Sequence, residues 1–393
     1  MIIITDAHYR TCVSMIEALS GSGEDIILCA EEGTNPPAFH SKYCVMARFM
    51  PKEKEDYKKE LLDLCRFVCS PDKEDKPVII PIGLKTVTLL SEYQEEFSEY
   101  ADFIVPDTDT LELANDKDEM ADIAKAVGIK TPEKIPVDDT GYPLTNRIRY
   151  PVYIKPVFGE EFGLGASERY DIAFDEDGIS DSFSKYLALT GKAPVVQEYA
   201  GDIGIGVCVV MDKDSNPVNI FCHKRVREYP VSGGPSSCCV SIYAPNIVKG
   251  AVRLLQSIRY TGIAMVEFRG SEDTSYSFLE INTRIWGSFP LCVKSGSSFI
   301  SDYVLAARGA SFSVPDTHYK RGKMMSFAVN DILAGTDYIK SGSTALGLHA
   351  FGSVIDPTVS DGIFSLDDPK PFFVYLDNCR KKIMKHKESE QEE

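Results

Sequence analysis

The chain has no run of about 18 apolar residues, so no segment has the length and character to cross a bilayer as a helix. A G-x-G-x-x-G after a first strand is also missing, and Gly21 and Gly23 follow a helical stretch instead; no nicotinamide or flavin cofactor is expected. The six histidines, from His8 to His386, form no H-x-x-x-H or H-x-H pair, which argues against a histidine-based metal site. Eleven cysteines are present, but their number is odd and neither Cys65/Cys69 nor Cys238/Cys239 has zinc spacing, so they read as reduced, mostly buried thiols. There is no G-x-S-x-G and no cysteine with an evident histidine partner, hence no expected nucleophilic side chain. Positive charge is in deficit: the net charge of −17 argues against nucleic-acid or anionic-membrane partners, which need Lys and Arg to displace counterions. Met1-Ile-Ile-Ile4 meets Thr5 and Asp6 at once, with neither the basic start nor the apolar core of a signal peptide, and a cytoplasmic location is expected.

What is present is a chain of 393 residues, 44% of them hydrophobic, enough for a sizeable core and two or three domains. The first third alternates strand and helix signals. Residues 1–5, 25–29, 77–80 and 102–105 are short apolar runs, and 11–19 and 57–68 have helical spacing, an open α/β layout with a parallel sheet. Asp6, His8 and Arg10 follow the first strand, at the end where such sheets bind ligands, although Thr5 or Asp6 could equally cap the next helix. Asn115 or Asp116 can cap a helix through Val127 that ends at Gly128.

The segment from Ala264 to Ser288 carries the chemistry. Two apolar runs, 264–268 and 276–281, flank a turn-rich segment and read as antiparallel strands. A hairpin centred on Asp273 and Thr274 sets Glu267 opposite Glu280, with Asn282 on the same face. Like charges across a ladder destabilise it unless a cation offsets them, and two carboxylates with an amide oxygen are hard ligands suited to magnesium, with manganese as an alternative. A solvated hairpin with incidental acids is the plainer reading; Arg284 and the only tryptophan, Trp286, weigh against it.

Further blocks lie upstream. Residues 150–155 form an apolar strand ending at Lys155-Pro156, and a half-buried lysine needs an anion. Gly159, Gly163 and Gly165 follow, a loop whose backbone amides could close over phosphate oxygens. A second strand leads to Gln197-Glu198-Tyr199-Ala200 and Asp202, and 204–211 with 219–226 make a hairpin that delivers His223, Lys224 and Arg225 to one end.

In this order the blocks resemble the ATP-grasp superfamily, in its carboxylate-amine ligase, carbamoyl-phosphate-synthase-like branch, over roughly residues 1 to 310. The motif VEF…FLEINTRIWGS is similar to its metal-binding end, with Thr283 where family members often have proline. The resemblance implies α/β and α+β architecture: a Rossmann-like domain (1–113) and an ATP-grasp domain (114–310) with lobes 114–198 and 199–310. Beyond it, apolar runs read as a folded C-terminal extension packed on the core (311–380), and the mixed-charge end, poor in apolar residues, as a frayed helix or disordered tail (381–393). The resemblance also implies that Glu267, Glu280 and Asn282 hold the metal, that Lys117 and Lys155 orient the triphosphate, and that the glycine loop covers it. Glu198 to Ala200, after Gln197, would meet adenine and Asp202 the ribose, Lys224 or Arg225 would lie near the transferred phosphate, and Arg284 would stabilise the acyl phosphate. Taken alone, Lys117 reads as a surface residue, 197–199 as any edge-strand end, and 223–225 as a solvated basic strand end. The chain departs from the family at Glu160-Glu161-Phe162, acids that would repel a triphosphate unless they face solvent, engage metal or meet an amine. The expected activity is ATP-dependent joining of a small carboxylate to an amine, with ATP as co-substrate and a homodimer among the allowed assemblies. The alternatives are an ATP-binding module without ligase activity and a phosphoryl-transfer enzyme that stops at the phosphorylated product.

Overall fold

The computed structural model describes all residues except 73–74, 146–147, 157–169, 232–233, 272–275 and 393, and the side chains of 385–392 are likewise outside the description. It opens with β1 (Ile2–Thr5), α1 (Thr11–Leu19), β2 (Ile26–Glu31), β3 (Cys44–Met50), α2 (Lys54–Val68) and β4 (Val78–Pro81). These strands form a parallel sheet in the order β3-β2-β1-β4. Helices cover both faces, which is why the central strands are apolar at every position. Ile2 and Ile4 pack toward α1, whereas Ile3, Ile27 and Ile79 pack toward Leu61 and Cys65 of α2.

Two local expectations fail here. Residues 102–105 make only the single bridge Val78–Asp102, because the Tyr303 hydroxyl occupies both the amide (3.2 Å) and the carbonyl (3.3 Å) of Ile104. Neither Thr5 nor Asp6 caps α1, whose first residue is Thr11. Asp6, at φ 54°, turns back beneath β4 and accepts the Gly83 amide at 3.0 Å.

The chain continues through α3 (Leu84–Glu92), α4 (Gln94–Ser98), α5 (Thr108–Asn115) and α6 (Lys117–Ala126). Asp116 caps α6 by accepting the amides of Asp118 and Glu119 at 2.9 Å, so Lys117 is held in the first turn. A small antiparallel sheet follows from β5 (Val152–Lys155), β6 (Asp171–Ala173) and, after α7 (Glu176–Thr190), β7 (Val195–Glu198). Its apolar face, Val152, Ile154 and Val196, packs on Ile179 and Tyr186 of α7.

The largest sheet contains β8 (Ile203–Met211), β9 (Pro217–Glu228), β10 (Ser236–Ile242) and, after α8 (Pro245–Ser257), β11 (Gly262–Gly270) and β12 (Ser277–Asn282). Next come α9 (Phe289–Lys294), α10 (Phe299–Ala307), β13 (Met324–Ser326), α11 (Ala328–Lys340), α12 (Thr344–Ile355), β14 (Ser360–Asp361) and α13 (Lys370–Glu392). The seven strands run in the order β12-β11-β8-β9-β10-β13-β14. One face, with Val207, Ile220, Val266 and Ile281, packs on α8 and α6. The other, with Cys208, Phe221 and Met265, packs on α9, α10 and, through them, α1. Residues beyond 311 lie on the same body: β13 and β14 extend the sheet, and Asp368 accepts the Ser41 hydroxyl at 2.5 Å. No described helix is long and apolar enough to cross a membrane.

Candidate functional site

In the β11–β12 ladder Glu267 stands directly opposite Glu280, and Met265 opposite Asn282. Side chains alternate along a strand, so Glu267, Glu280 and Asn282 share one face, as the sequence implies. Each acid has a cation. Arg225 Nη2 donates to Glu267 at 2.6 Å, and Lys117 lies 2.7 Å from Glu280. Asn282 Nδ2 donates to Glu280 at 3.4 Å. Burial pushes Glu267 up from the ordinary carboxylate range by more than Arg225 pulls it down. Burial also acts to raise Glu280, but Lys117 overrides it and leaves that carboxyl below its ordinary value. Two acids in one ladder position, split in this way, form a focus that attracts positive charge.

Two glycines make room for this arrangement. Gly206 lies between Glu267 and His223 across the sheet, and a Cβ there would fall 2.3 Å from His223 Cε1; at Gly204 it would fall 2.9 Å from Arg225 Cδ. His223 is fully buried, donates to or accepts from Ser288 at 3.0 Å and is pushed down to about 3 by burial and Arg225. It is a neutral packing residue at working pH. Arg225 also reaches Glu228 at 3.2 Å, and Glu228 accepts from Arg269 at 2.6 Å. Arg269 donates to the Asp202 carbonyl at 3.5 Å. A chain of charged groups thus runs from the β7–β8 connection to Glu267. Glu228 and Arg269 are absent from the sequence-based candidates. For Arg269, two residues past Glu267, the period of two was a signal; Glu228, three past Arg225, breaks that period, next to the register shifts between β9 and β10.

Lys155 ends β5, half-buried and without a salt bridge among the described residues; burial, then Lys117, pushes it down to about 8. Gln197 and Glu198 pair with Tyr153 and Val152 of β5. Tyr199 stacks near Tyr153 (5.0 Å) and donates its hydroxyl to Asp202. Ala200 and Gly201 follow, with Gly201 at φ 110° and its Cα so close to Gly270 that a Cβ would lie 2.3 Å from that backbone. Arg284 is half-buried just past β12, donates to the Ile285 carbonyl at 2.9 Å, and acts on the Tyr9 phenol of the β1–α1 loop.

One candidate is placed elsewhere. Lys224 pairs with Ile205 and Val240, on the α8 side of the sheet, because it neighbours Arg225 in a strand and must point the other way. The structure therefore separates Lys224 from the acids and brings Arg225 to them. Gly159, Gly163 and Gly165, with Glu160 to Phe162, lie outside the described residues.

Beyond Arg225, the next residue on this face is Arg227. It donates to both oxygens of the fully buried Asp331 at 2.9 and 2.6 Å, and to Ser353 at 2.5 Å. This pair ties α11 and α12 to the end of the site.

Residues 116–310 match the family model described as the carbamoyl-phosphate synthase L chain, ATP binding domain. Among curated proteins, the chain is 27% identical over 218 residues to the mitochondrial methylcrotonoyl-CoA carboxylase subunit alpha of Dictyostelium discoideum, covering 51% of this chain and 31% of that one. It is 28% identical over 223 residues to the chloroplastic biotin carboxylase 1 of Populus trichocarpa, 53% and 41% of the two chains. For the carbamoyl phosphate synthase large chain of Agathobacter rectalis the figures are 26% over 202 residues, 48% and 18%. The chain therefore spans well under half the length of these relatives. Among solved structures, the biotin carboxylase–β,γ-ATP complex from Campylobacter jejuni superposes with a TM-score of 0.60 at 16% identity, covering 82% of this chain and 74% of that one. The biotin carboxylase domain dimer of Hydrogenobacter thermophilus 2-oxoglutarate carboxylase, with MgADP and bicarbonate, gives 0.59 at 16%, covering 82% and 72%. Such identities speak for the fold alone; with the matched domain they make residues 116–310 similar to the ATP-binding domains of the ATP-grasp superfamily, in its carbamoyl-phosphate-synthase-like branch.

Proposed function

We propose that the chain is an ATP-dependent carboxylate-amine ligase acting on small molecules in the cytoplasm. The observation that carries this reading is the register of the hairpin: Glu267 against Glu280, Asn282 on the same face, and a cation on each acid. An all-oxygen donor set of this kind fits magnesium. Arg225 and Lys117 now supply the positive charge the acids require, and Asn282, which donates its amide nitrogen to Glu280, would turn its oxygen toward a metal. Bound there, the metal would neutralise charge on the phosphoryl group being transferred.

The remaining roles follow from position. Lys155 is a half-buried amine at a strand end with no salt bridge among the described residues, which suits it to phosphate oxygens, and Lys117 in the first turn of α6 can leave Glu280 for the same partner. Residues 197–202, the end of β7 and the connection that leads to β8 in the larger sheet, are the adenine and ribose segment. Arg225 and Arg284 lie where the acyl phosphate would form. The substrate carboxylate oxygen attacks the terminal phosphorus and ADP leaves; the amine nitrogen then attacks the acyl carbon, loses a proton, and phosphate leaves. Stabilisation of these charges by fixed cations is the main contribution such a site makes. In this reading 1–113 is the Rossmann-like domain, 114–310 the ATP-grasp domain and 311–380 an extension that closes one end.

ADP release measured across pairs of small carboxylates and amines, with the product mass determined, tests the proposal. A product equal to acid plus amine minus water is expected. Release of ADP with acid alone, unaffected by any amine, would replace it with a phosphoryl-transfer reading.

A further inference from the structure

Arg10, like Lys155 and Arg284, has no carboxylate partner among the described residues, and it is held instead by an aromatic ring and neutral groups. It follows β1, at the carboxyl end of the parallel sheet, where open α/β sheets bind ligands. Its guanidinium carbon lies 3.4 Å from the centroid of the buried Phe327 ring, between β13 and α11. Its Nη1 reaches only an amide oxygen, Asn330 Oδ1 at 3.5 Å, which also accepts from the Tyr375 hydroxyl at 3.4 Å. Among the described residues Arg10 forms no salt bridge, and its side chain is half-buried. Phe327 directly follows β13 and donates its amide to the Ser237 carbonyl of β10, and Met325 of β13 pairs with Cys239, which pairs in turn with Arg225 of β9. Arg10 therefore lies at the β13 end of the same sheet whose β9 carries Arg225.

A guanidinium seated over an aromatic ring is restrained there by the cation–π contact and still has N–H donors to offer a carboxylate. Asn330 and Tyr375, both neutral, hold it without using up its charge. The more deeply buried Arg227, by contrast, is neutralised by Asp331. We infer that Arg10, positioned by Phe327, Asn330 and Tyr375, is a recognition residue for a non-reacting carboxylate on a substrate of this site. One of the two substrates is then a dicarboxylate or an amino acid. The inference rests on the ligase reading for the word substrate, and it assigns the region beyond residue 311 a part in substrate selection.

The test is calorimetric binding to the full chain in the presence of MgADP, with succinate, L-glutamate and L-alanine as probes, each also as its methyl ester. Succinate binding points to the acid substrate and amino-acid binding to the amine substrate. For any probe that binds, Arg10→Gln should weaken it roughly ten- to a hundredfold, the range for charge-assisted hydrogen bonds, and Arg10→Lys should recover part of the loss. Esterification should cost the unaltered protein a similar factor and the Arg10→Gln variant nothing, with MgADP affinity the same in both. A variant that binds the probes normally and only melts at lower temperature makes Arg10 a packing residue and overturns the inference; so does an unaltered protein that binds none of them. Binding through Arg10 with no ADP release from any acid–amine pair would instead leave the inference standing and remove the ligase reading.

Discussion

Replacing Glu280 by glutamine distinguishes a metal site from a structural ion pair. In the ligand-free protein the Glu280–Lys117 contact is 2.7 Å long, with side-chain exposures of 31% and 63%, so the pair belongs to the solvent-screened class worth about 0–1 kcal/mol. Glutamine also removes the repulsion that Glu280 exerts on Glu267. The two effects oppose each other, and the stability of Glu280→Gln without ligand should lie within about 1 kcal/mol of the parent. The ligand-bound comparison should differ. Magnesium nucleotide at a hundred times its dissociation constant stabilises the folded chain by about 2.7 kcal/mol, and a variant that binds it tenfold more weakly loses about 1.4 kcal/mol of that gain. Urea unfolding with and without MgADP measures both terms. Equal stabilisation of variant and parent by MgADP would refute the metal assignment. A ligand-free loss above about 3 kcal/mol, the scale of a broken buried pair, would show that Glu280 serves as a structural counter-charge.

Other consequences can be checked in parallel. Lys155 is pushed down from 10.5 to about 8 in the folded chain by burial and then by Lys117; the unfolded chain therefore binds the extra proton between these values, the destabilisation is full below pH 8, and stability from this group rises with pH across that window. ATP binding restores the charge and should take up protons at about pH 8.5, seen as a buffer-dependent heat that Lys155→Met abolishes. Arg227→Met strands the buried Asp331 carboxylate and should cost about 3–5 kcal/mol in urea unfolding, most of it recovered by adding Asp331→Leu; an Arg227→Met variant of parental stability would contradict this. Gly206→Ala drives a methyl group toward His223 and should cost about 1–3 kcal/mol while disturbing the His223–Ser288 bond, visible as a shift in the His223 ring resonances.

The elements that sequence reading recovered are those whose side chains are selected by a regular periodicity. The parallel strands β1, β2 and β4 are apolar at almost every position because helices cover both faces. Strand β3 is an edge strand with most of Cys44–Met50 partly or fully exposed, and the sequence reading passed over it although only Arg48 interrupts its apolar residues. Residues 102–105, by contrast, are buried and read as a strand, yet a tyrosine hydroxyl from α10 satisfies Ile104, a partner almost two hundred positions away that no local pattern reveals.

The same distinction holds within the site. The Glu267–Glu280 opposition follows from counting outward along two strands from a turn, and the ladder has that register despite a bulge immediately after Glu267. Grouping Lys224 with Arg225 ignored the alternation used for the hairpin. When it is applied along β9, His223, Arg225 and Arg227 occupy one face, and each meets a different environment: a buried neutral contact, the candidate metal acids, and the Asp331 pair. Arg225 is the member left between two acids, Glu228 and Glu267. The choice among these three arginine and histidine positions depended on which residues other strands and the region beyond 311 bring opposite them, and that information exists only once the sheet is assembled.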